Sequence, residues 1–188
     1  MKEKREIITV EDLLCKIVGV LDKLKISYLI SGGFAVAFWG RPRFTADIDI
    51  VIEMAEEKIS FLARELRLVD KDVYVREIDI KDALLTKREF NFIHPGTGIK
   101  VDFFILKDEP FDKIKMRRVK KRKIKSKKVN LISPEDLILS KLEWYKKGNS
   151  ERQIEDIRSV LKFTKINKKY LKKWAEKLSL IKILRRLL

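Results

Sequence analysis

The stretch Leu29–Ile52 reads LISGGFAVAFWGRPRFTADIDIVI, and its closing strand decides how the rest of the chain is understood. An apolar run ends in Gly32-Gly33, a short apolar segment leads to Arg43-Phe44-Thr45-Ala46, and Asp47 and Asp49 then stand among isoleucine and valine. In a strand, residues two apart share a face. Asp47 and Asp49 therefore project together, while Ala46, Ile48 and Ile50 face the other way. Partly buried carboxylates at that spacing repel by about 1 kcal/mol or more. No local Lys or Arg on that face offsets the charge, so an external cation is the expected compensation. Mg2+ suits hard oxygen ligands and retained waters. The competing reading is a pair of strand-end aspartates in open solvent.

Two distant features favour the cation. Gly32-Gly33 ends fourteen residues before Asp47, at a strand-to-helix turn where bare N–H groups and a helix N-terminus can hold phosphate. Asp102 stands inside IKVDFFIL, between Val101 and Phe103, where a charge again needs a reason. If that strand lies beside DIDIVI, three carboxylates meet, as in two-metal phosphoryl-transfer sites. A register shift of one residue would turn Asp102 to the core side and leave the set incomplete, with Glu53 and Asp79 as substitutes.

Around these residues the chain alternates helix and strand. Thr9, with Asp12 three residues later, signals the N-cap of a helix that ends near Lys25 and is apolar at Leu13, Leu14, Ile17, Val18 and Leu21. ISYLI is a short buried strand, FAVAFWG a short helix, DIDIVIE the second strand, and AEEKISFLARELRL an amphipathic helix apolar at Ile59, Phe61, Leu62 and Leu66. Pro95–Gly98 joins two β-prone runs as a hairpin. Ser133 is the next N-cap, with Pro134 at the first helical position and Glu135 and Asp136 in the first turn. Breaks near Gly148-Asn149 and Ile166-Asn167 divide the remaining helices. Trp39, Trp144 and Trp174 are expected as core or interhelix anchors, and His94 as a strand-end residue. The fold class is α+β: a small mixed β-sheet flanked by helices, with an α/β core over residues 1–132 and a helical region over 133–188.

The 188 residues, 45% of them hydrophobic, suffice for one core. No apolar run approaches the roughly 20 residues that span a bilayer, and MKEKREIITVED lacks the apolar region of a signal peptide. Cys15 and His94 are single, which excludes a disulfide framework and a zinc site. A cytoplasmic protein without a membrane partner is expected. The net charge of +16 favours a polyanionic partner through counterion release. Balanced ion-pair surfaces of the thermophile type would not leave such an excess. Lys113–Lys128 holds eleven Lys or Arg and no acid, with apolar residues at intervals. Strand or hairpin is expected there, with Lys120, Lys121, Arg122, Lys123 and Lys125 binding RNA, tRNA in particular.

Ser31-Gly32-Gly33, the R-x-T-x-D-x-D of Arg43–Asp49, and Asp102 together resemble the nucleotidyltransferase superfamily of the DNA polymerase β type. The particular likeness is to minimal and AbiEii-type nucleotidyltransferases, some of which are toxins of toxin–antitoxin systems. SPEDLILSKL, followed by a helix carrying Arg152 and Asp156-Ile157, resembles the downstream pattern of that group, so the likeness covers roughly residues 10 to 163. It implies the nucleotidyltransferase fold and a set of roles. Ser31, Gly32 and Gly33 would cradle a nucleoside triphosphate such as ATP, and Asp47 and Asp49 would hold Mg2+ or Mn2+. Asp102 would complete the metal site and help activate the attacking hydroxyl. Arg43 and Thr45 lie within reach of phosphate, and Lys141 matches a helix lysine that contacts the triphosphate, its alternative being an exposed helix lysine. The implied activity is transfer of NMP from an NTP to a hydroxyl, on an RNA or tRNA 3′ end or on a protein, with an antitoxin as protein partner. The alternative is a catalytically inactive module of the same fold that binds RNA or nucleotide. A sugar-nucleotide glycosyltransferase reading of D-x-D is disfavoured, because the chain leaves no room for a separate acceptor domain.

Overall fold

Thr9 caps the first helix in the manner its spacing to Asp12 requires. Its Oγ1 accepts from the Asp12 N–H at 3.2 Å, and Asp12 Oδ2 accepts from the Thr9 N–H at 3.1 Å. The computed structural model describes residues 8–45, 47–70 and 72–188. Ala46, expected to face away from the aspartates, lies outside the described residues, as do the first seven of the N-terminal segment. Helix α1 (Val10–Lys23) turns Leu13, Leu14, Ile17 and Leu21 fully into the core and ends two residues before Lys25.

Strand β1 (Ser27–Ile30), helix α2 (Gly32–Trp39) and strand β2 (Asp47–Glu53) follow as the turn and strand signals demand. A 3-10 turn (Glu56–Lys58) leads into α3 (Ile59–Arg67), which buries Ile59, Leu62, Ala63 and Leu66. Phe61 is 51% exposed rather than part of that apolar face, and Ala63 takes its place. Helix α4 (Glu77–Thr86) is an element that periodicity misses, because it buries only Ile80 and Ala83. Strands β3 (Glu89–Ile93) and β4 (Lys100–Ile105) form the antiparallel hairpin expected around Pro95–Gly98. The turn closes with the Gly98 N–H on the His94 carbonyl at 2.8 Å and Gly98 at φ +69°, a left-handed conformation suited to glycine.

The basic segment divides in two. Its first residues belong to helix α5 (Pro110–Arg117), which Pro110 opens; the rest is a hairpin of β5 (Lys120–Ile124) and β6 (Lys127–Leu131). Helices α6 (Pro134–Gly148), α7 (Glu151–Phe163), α8 (Lys168–Lys177) and α9 (Ile181–Arg185) complete the chain, divided at the two expected breaks. The six strands make one mixed sheet in the order β3-β4-β2-β1-β6-β5. β1 pairs antiparallel with β2 and parallel with β6, and β2 pairs parallel with β4. The lysine-rich β5 is an edge strand, where charge also discourages pairing with other chains.

Along β2 the burial alternates: Ile48, Ile50 and Ile52 are fully buried, and the aspartates take the opposite face. Leu137, Ile138, Leu139 and Leu142 of α6 join the same core as the sheet. Trp39 and Trp174 are buried anchors, with Trp39 Nε1 donating to the Ile132 carbonyl at 2.8 Å. Trp144 is 59% exposed and anchors nothing in the core. The SPED turn organises a charge network: Arg118 donates to Asp136 and Glu135, each at 3.2 Å, and stacks on Tyr170. Ser133 and Tyr170 hydroxyls donate to Asp136, and the Asn167 N–H to Glu135. Among the described residues no helix is long and apolar enough to cross a membrane.

Candidate active site

The parallel pairing of β2 with β4 sets Asp49 directly opposite Asp102, and Asp47 opposite Lys100. Paired residues share a face about 5 Å apart, so all three carboxylates lie on one patch of the sheet. Asp47 is exposed, Asp49 half-buried and Asp102 buried. Burial and, next, the neighbouring Asp102 push the Asp49 carboxyl above its ordinary range, opposed by the Gly33 N–H and by Lys141.

The turn after β1 is built against this carboxylate. The Ser31 N–H donates to the Asp49 carbonyl at 2.9 Å, and Ser31 caps α2 through its backbone, leaving its hydroxyl free of the helix. Gly32 has φ +59°, and a Cβ there would lie 1.7 Å from Asp49 Oδ2. At Gly33 a Cβ would lie 2.7 Å from Thr45 Oγ1 and 3.2 Å from an Arg43 nitrogen. The glycines thus let the α2 N-terminus approach the aspartate and the Arg43–Thr45 loop at once. Gly32→Ala is expected to destabilise the fold by about 2–4 kcal/mol, combining left-handed strain with a clash against a fixed carboxylate. Gly33→Ala, which meets the hydroxyl of a side chain that can rotate, should be milder when the two variants are compared by urea denaturation. Equal losses would contradict the packing described.

Arg43 binds Asp156 through two hydrogen bonds, Nε at 3.0 Å and Nη2 at 3.1 Å, and Lys141 Nζ lies 2.8 Å from the same carboxylate. Lys141 is buried, so the exposed-lysine alternative does not hold; α6 carries it to Asp156 of α7, and its field acts on Asp49. Asp156 is the residue that sequence reasoning missed as a site group. Its signal was an acid set among Ile154, Ile157 and Val160 on the buried face of α7. Beside Arg43 and Asp156, the loop before β2 and α7 border an open cleft of about 710 Å3, where Arg41, Arg158 and Lys162 outnumber Glu155.

The hairpin cations are placed apart from the carboxylates, with β5 three strands from β2, about 14 Å across the sheet. Lys120, Lys121 and Lys123 are exposed, whereas Arg122 stacks on Trp39, 4.9 Å from the ring centre, and Lys125 pairs with Asp12 at 2.6 Å. That pair, with the capping bonds of Thr9, lowers Asp12 to about 2. Glu53 ends β2 opposite Ser27, and Asp79 pairs with Arg76, so neither lies beside Asp49. His94 is buried beside Thr97 and Asp70, remote in role from the carboxylates.

The donor set fits a hard divalent cation: three carboxylates on one face, and a buried Asp102 Oδ1 that accepts no well-aligned hydrogen bond. Among the described residues no three acidic, histidine or cysteine side chains are already gathered as ligands. Lys100 Nζ lies 2.8 Å from Asp102 Oδ1.

Comparison with known proteins gives this arrangement a context. A family described as "Nucleotidyl transferase of unknown function (DUF2204)" matches residues 10–184. Among curated proteins, none matches the chain. A solved antigenic nucleotidyltransferase-like protein from Paracoccidioides brasiliensis is similar at 23% identity and TM-score 0.53, covering 82% of this chain and 76% of its own. A lincomycin-bound lincosamide antibiotic adenylyltransferase gives 17% identity and TM-score 0.55, covering 84% of this chain and 100% of its own. ANT(2″)-Ia in complex with adenylyl-2″-tobramycin gives 18% and 0.54, covering 94% and 96%. At these identities the likeness is one of fold.

Proposed function

Because this chain belongs to the nucleotidyl transferase family matched over residues 10–184, we propose that it transfers an NMP unit from an NTP to an acceptor hydroxyl in a Mg2+-dependent reaction that releases pyrophosphate. One observation carries this reading: the turn at Gly32, where α2 begins, lies against Asp49, and Asp49 is the register partner of Asp102. Backbone amides and carboxylates are thus brought to one point. Asp47, Asp49 and Asp102 would hold the divalent cation, which supplies charge neutralisation at the phosphates when bound. Mn2+, with similar oxygen preferences, should substitute.

The chain's own groups have separable tasks. The Ser31 hydroxyl, which makes no cap bond to the helix, and the α2 N-terminus bind the phosphate tail with the help of the helix dipole. Asp156 holds Arg43 beside the Gly33 turn and Lys141 where it acts on Asp49, so their charge is in place before the nucleotide arrives. Asp102 is suited to orient the attacking hydroxyl and take up its proton. The basic cleft beside Arg43 accepts the incoming acceptor.

The test is thermal stabilisation. With Mg2+ and NTP at about a hundredfold their dissociation constant, the melting temperature should rise by roughly 5–10 °C. Asp47→Asn, at an exposed position, should fold normally and lose that rise. No rise in the wild type would favour the second reading, a catalytically inactive module that binds RNA, in which the Lys100–Asp102 ion pair would be permanent.

For the acceptor we take an RNA 3′ end, tRNA first, because the net charge is +16 and Lys120, Lys121 and Lys123 are exposed on an edge strand. A protein hydroxyl is the alternative acceptor. Reversing these three lysines to Glu, while leaving Arg122 on Trp39, should flatten the salt dependence of RNA binding. The log–log slope should fall by about 0.7 for each phosphate that the edge no longer neutralises. An unchanged slope contradicts RNA binding on this edge. The AbiEii-like toxin role, with an antitoxin restraining it, belongs to the same proposal and is supported by the order of SGG, R-x-T-x-D-x-D and SPEDLILSKL.

A further inference from the structure

Lys100 is the one part of the carboxylate patch that the proposed reaction leaves without a task. It stands opposite Asp47 across the β2–β4 pairing, two residues before Asp102, so it shares the face of all three carboxylates. Its ammonium lies 2.8 Å from Asp102 Oδ1, an otherwise unsatisfied buried oxygen, and its side chain is 41% exposed. Lysine is a compact charge on a flexible stem, able to leave an ion pair without disturbing the backbone.

We propose that Lys100 is a resident counter-cation: in the nucleotide-free protein its ammonium holds Asp102 Oδ1 in place of a divalent cation, and metal binding requires Lys100 to swing toward solvent. The inference rests on the metal role assigned above to Asp47, Asp49 and Asp102. It has two consequences. A divalent cation alone competes with a tethered charge and binds weakly. A cation arriving with a nucleotide binds well, because the phosphates give the displaced ammonium a new partner at the rim of the site. The device keeps the carboxylates compensated at rest and makes occupancy depend on the substrate.

Equilibrium titration with Mn2+, following the free ion by electron paramagnetic resonance, tests this without measuring activity. Lys100→Met, which keeps the length of the stem and removes the charge, should bind Mn2+ about tenfold more tightly than the wild type or better. Lys100→Arg should return the affinity toward the wild-type value. In the presence of NTP the gap between wild type and Lys100→Met should narrow. Adding Asp49→Asn to Lys100→Met should abolish the gain, placing the ion at this site, with circular dichroism confirming that each variant folds. Equal Mn2+ affinity in wild type and Lys100→Met overturns the Lys100 inference and leaves the metal site standing. Absence of Mn2+ binding in every variant, with or without NTP, overturns both.

Discussion

Asp49→Asn is expected to abolish nucleotidyl transfer and, in the same protein, to raise the melting temperature of the metal-free state. The two effects share one cause. Asp49 is half-buried beside Asp102, and burial first, then that neighbour, push its carboxyl above the ordinary carboxylate range. A carboxyl whose folded pKa lies above its unfolded one destabilises the fold when ionised. That cost is fully present above the raised value, shrinks as pH falls through it, and is gone below the ordinary value near 4. Asparagine keeps the size and can still accept the Gly33 N–H while removing the charge. The metal-free melting temperature should therefore rise by about 2–4 °C for each kcal/mol relieved, and the acid-side gain in stability expected of the wild type should largely disappear. Transfer should fall by at least about 10³-fold, because the cation loses a ligand where charge develops. Scanning calorimetry from pH 4 to 8, with a transfer assay alongside, checks both. A lower melting temperature would mean that Asp49 is not the strained group.

The largest structural effect is expected at Arg118→Met. Asp136 is fully buried and Glu135 nearly so, and Arg118 is the cation that serves both. Removing it leaves two buried carboxylates with only hydroxyl and amide donors, and removes the stacking on Tyr170. Breaking a buried ion pair from one side costs about 3–5 kcal/mol. With Arg118 30% exposed, water can partly replace it, so about 3 kcal/mol is expected. This corresponds to a fall of about 6–12 °C in melting temperature. Replacing Arg118, Glu135 and Asp136 together by apolar residues should cost less than Arg118→Met alone, since no uncompensated charge remains. A single-variant loss below about 1 kcal/mol in urea denaturation would show that the network is not a principal tie between α6, α8 and the end of α5.

What could be read from the sequence was governed by local chemistry. The strand DIDIVIE, the glycine turn before α2, the Thr9 and Ser133 caps and the Pro95–Gly98 hairpin each depend on a few neighbouring residues, and each is present in the fold. The partnership of Asp49 with Asp102 spans more than fifty residues, and its register follows from the parallel pairing of β2 with β4, which no local pattern specifies. Helices α4 and α5 escaped because one buries two residues and the other is hidden in a run of charge. Phe61 and Trp144 misled in the opposite direction: large apolar side chains at helical spacing face solvent. Asp156 and Lys141 were visible in principle as charges among apolar neighbours on α7 and α6. Only the packing of those helices toward the α2 turn shows that they serve each other and Arg43.

The most direct test of the central claim is to incubate the protein with each α-labelled NTP, Mg2+ and total tRNA, and to follow the label. Transfer to RNA that is lost on chelation and in Asp47→Ala and Asp49→Ala is the predicted result. Absence of label from both RNA and protein in the wild type, with every NTP, would contradict it.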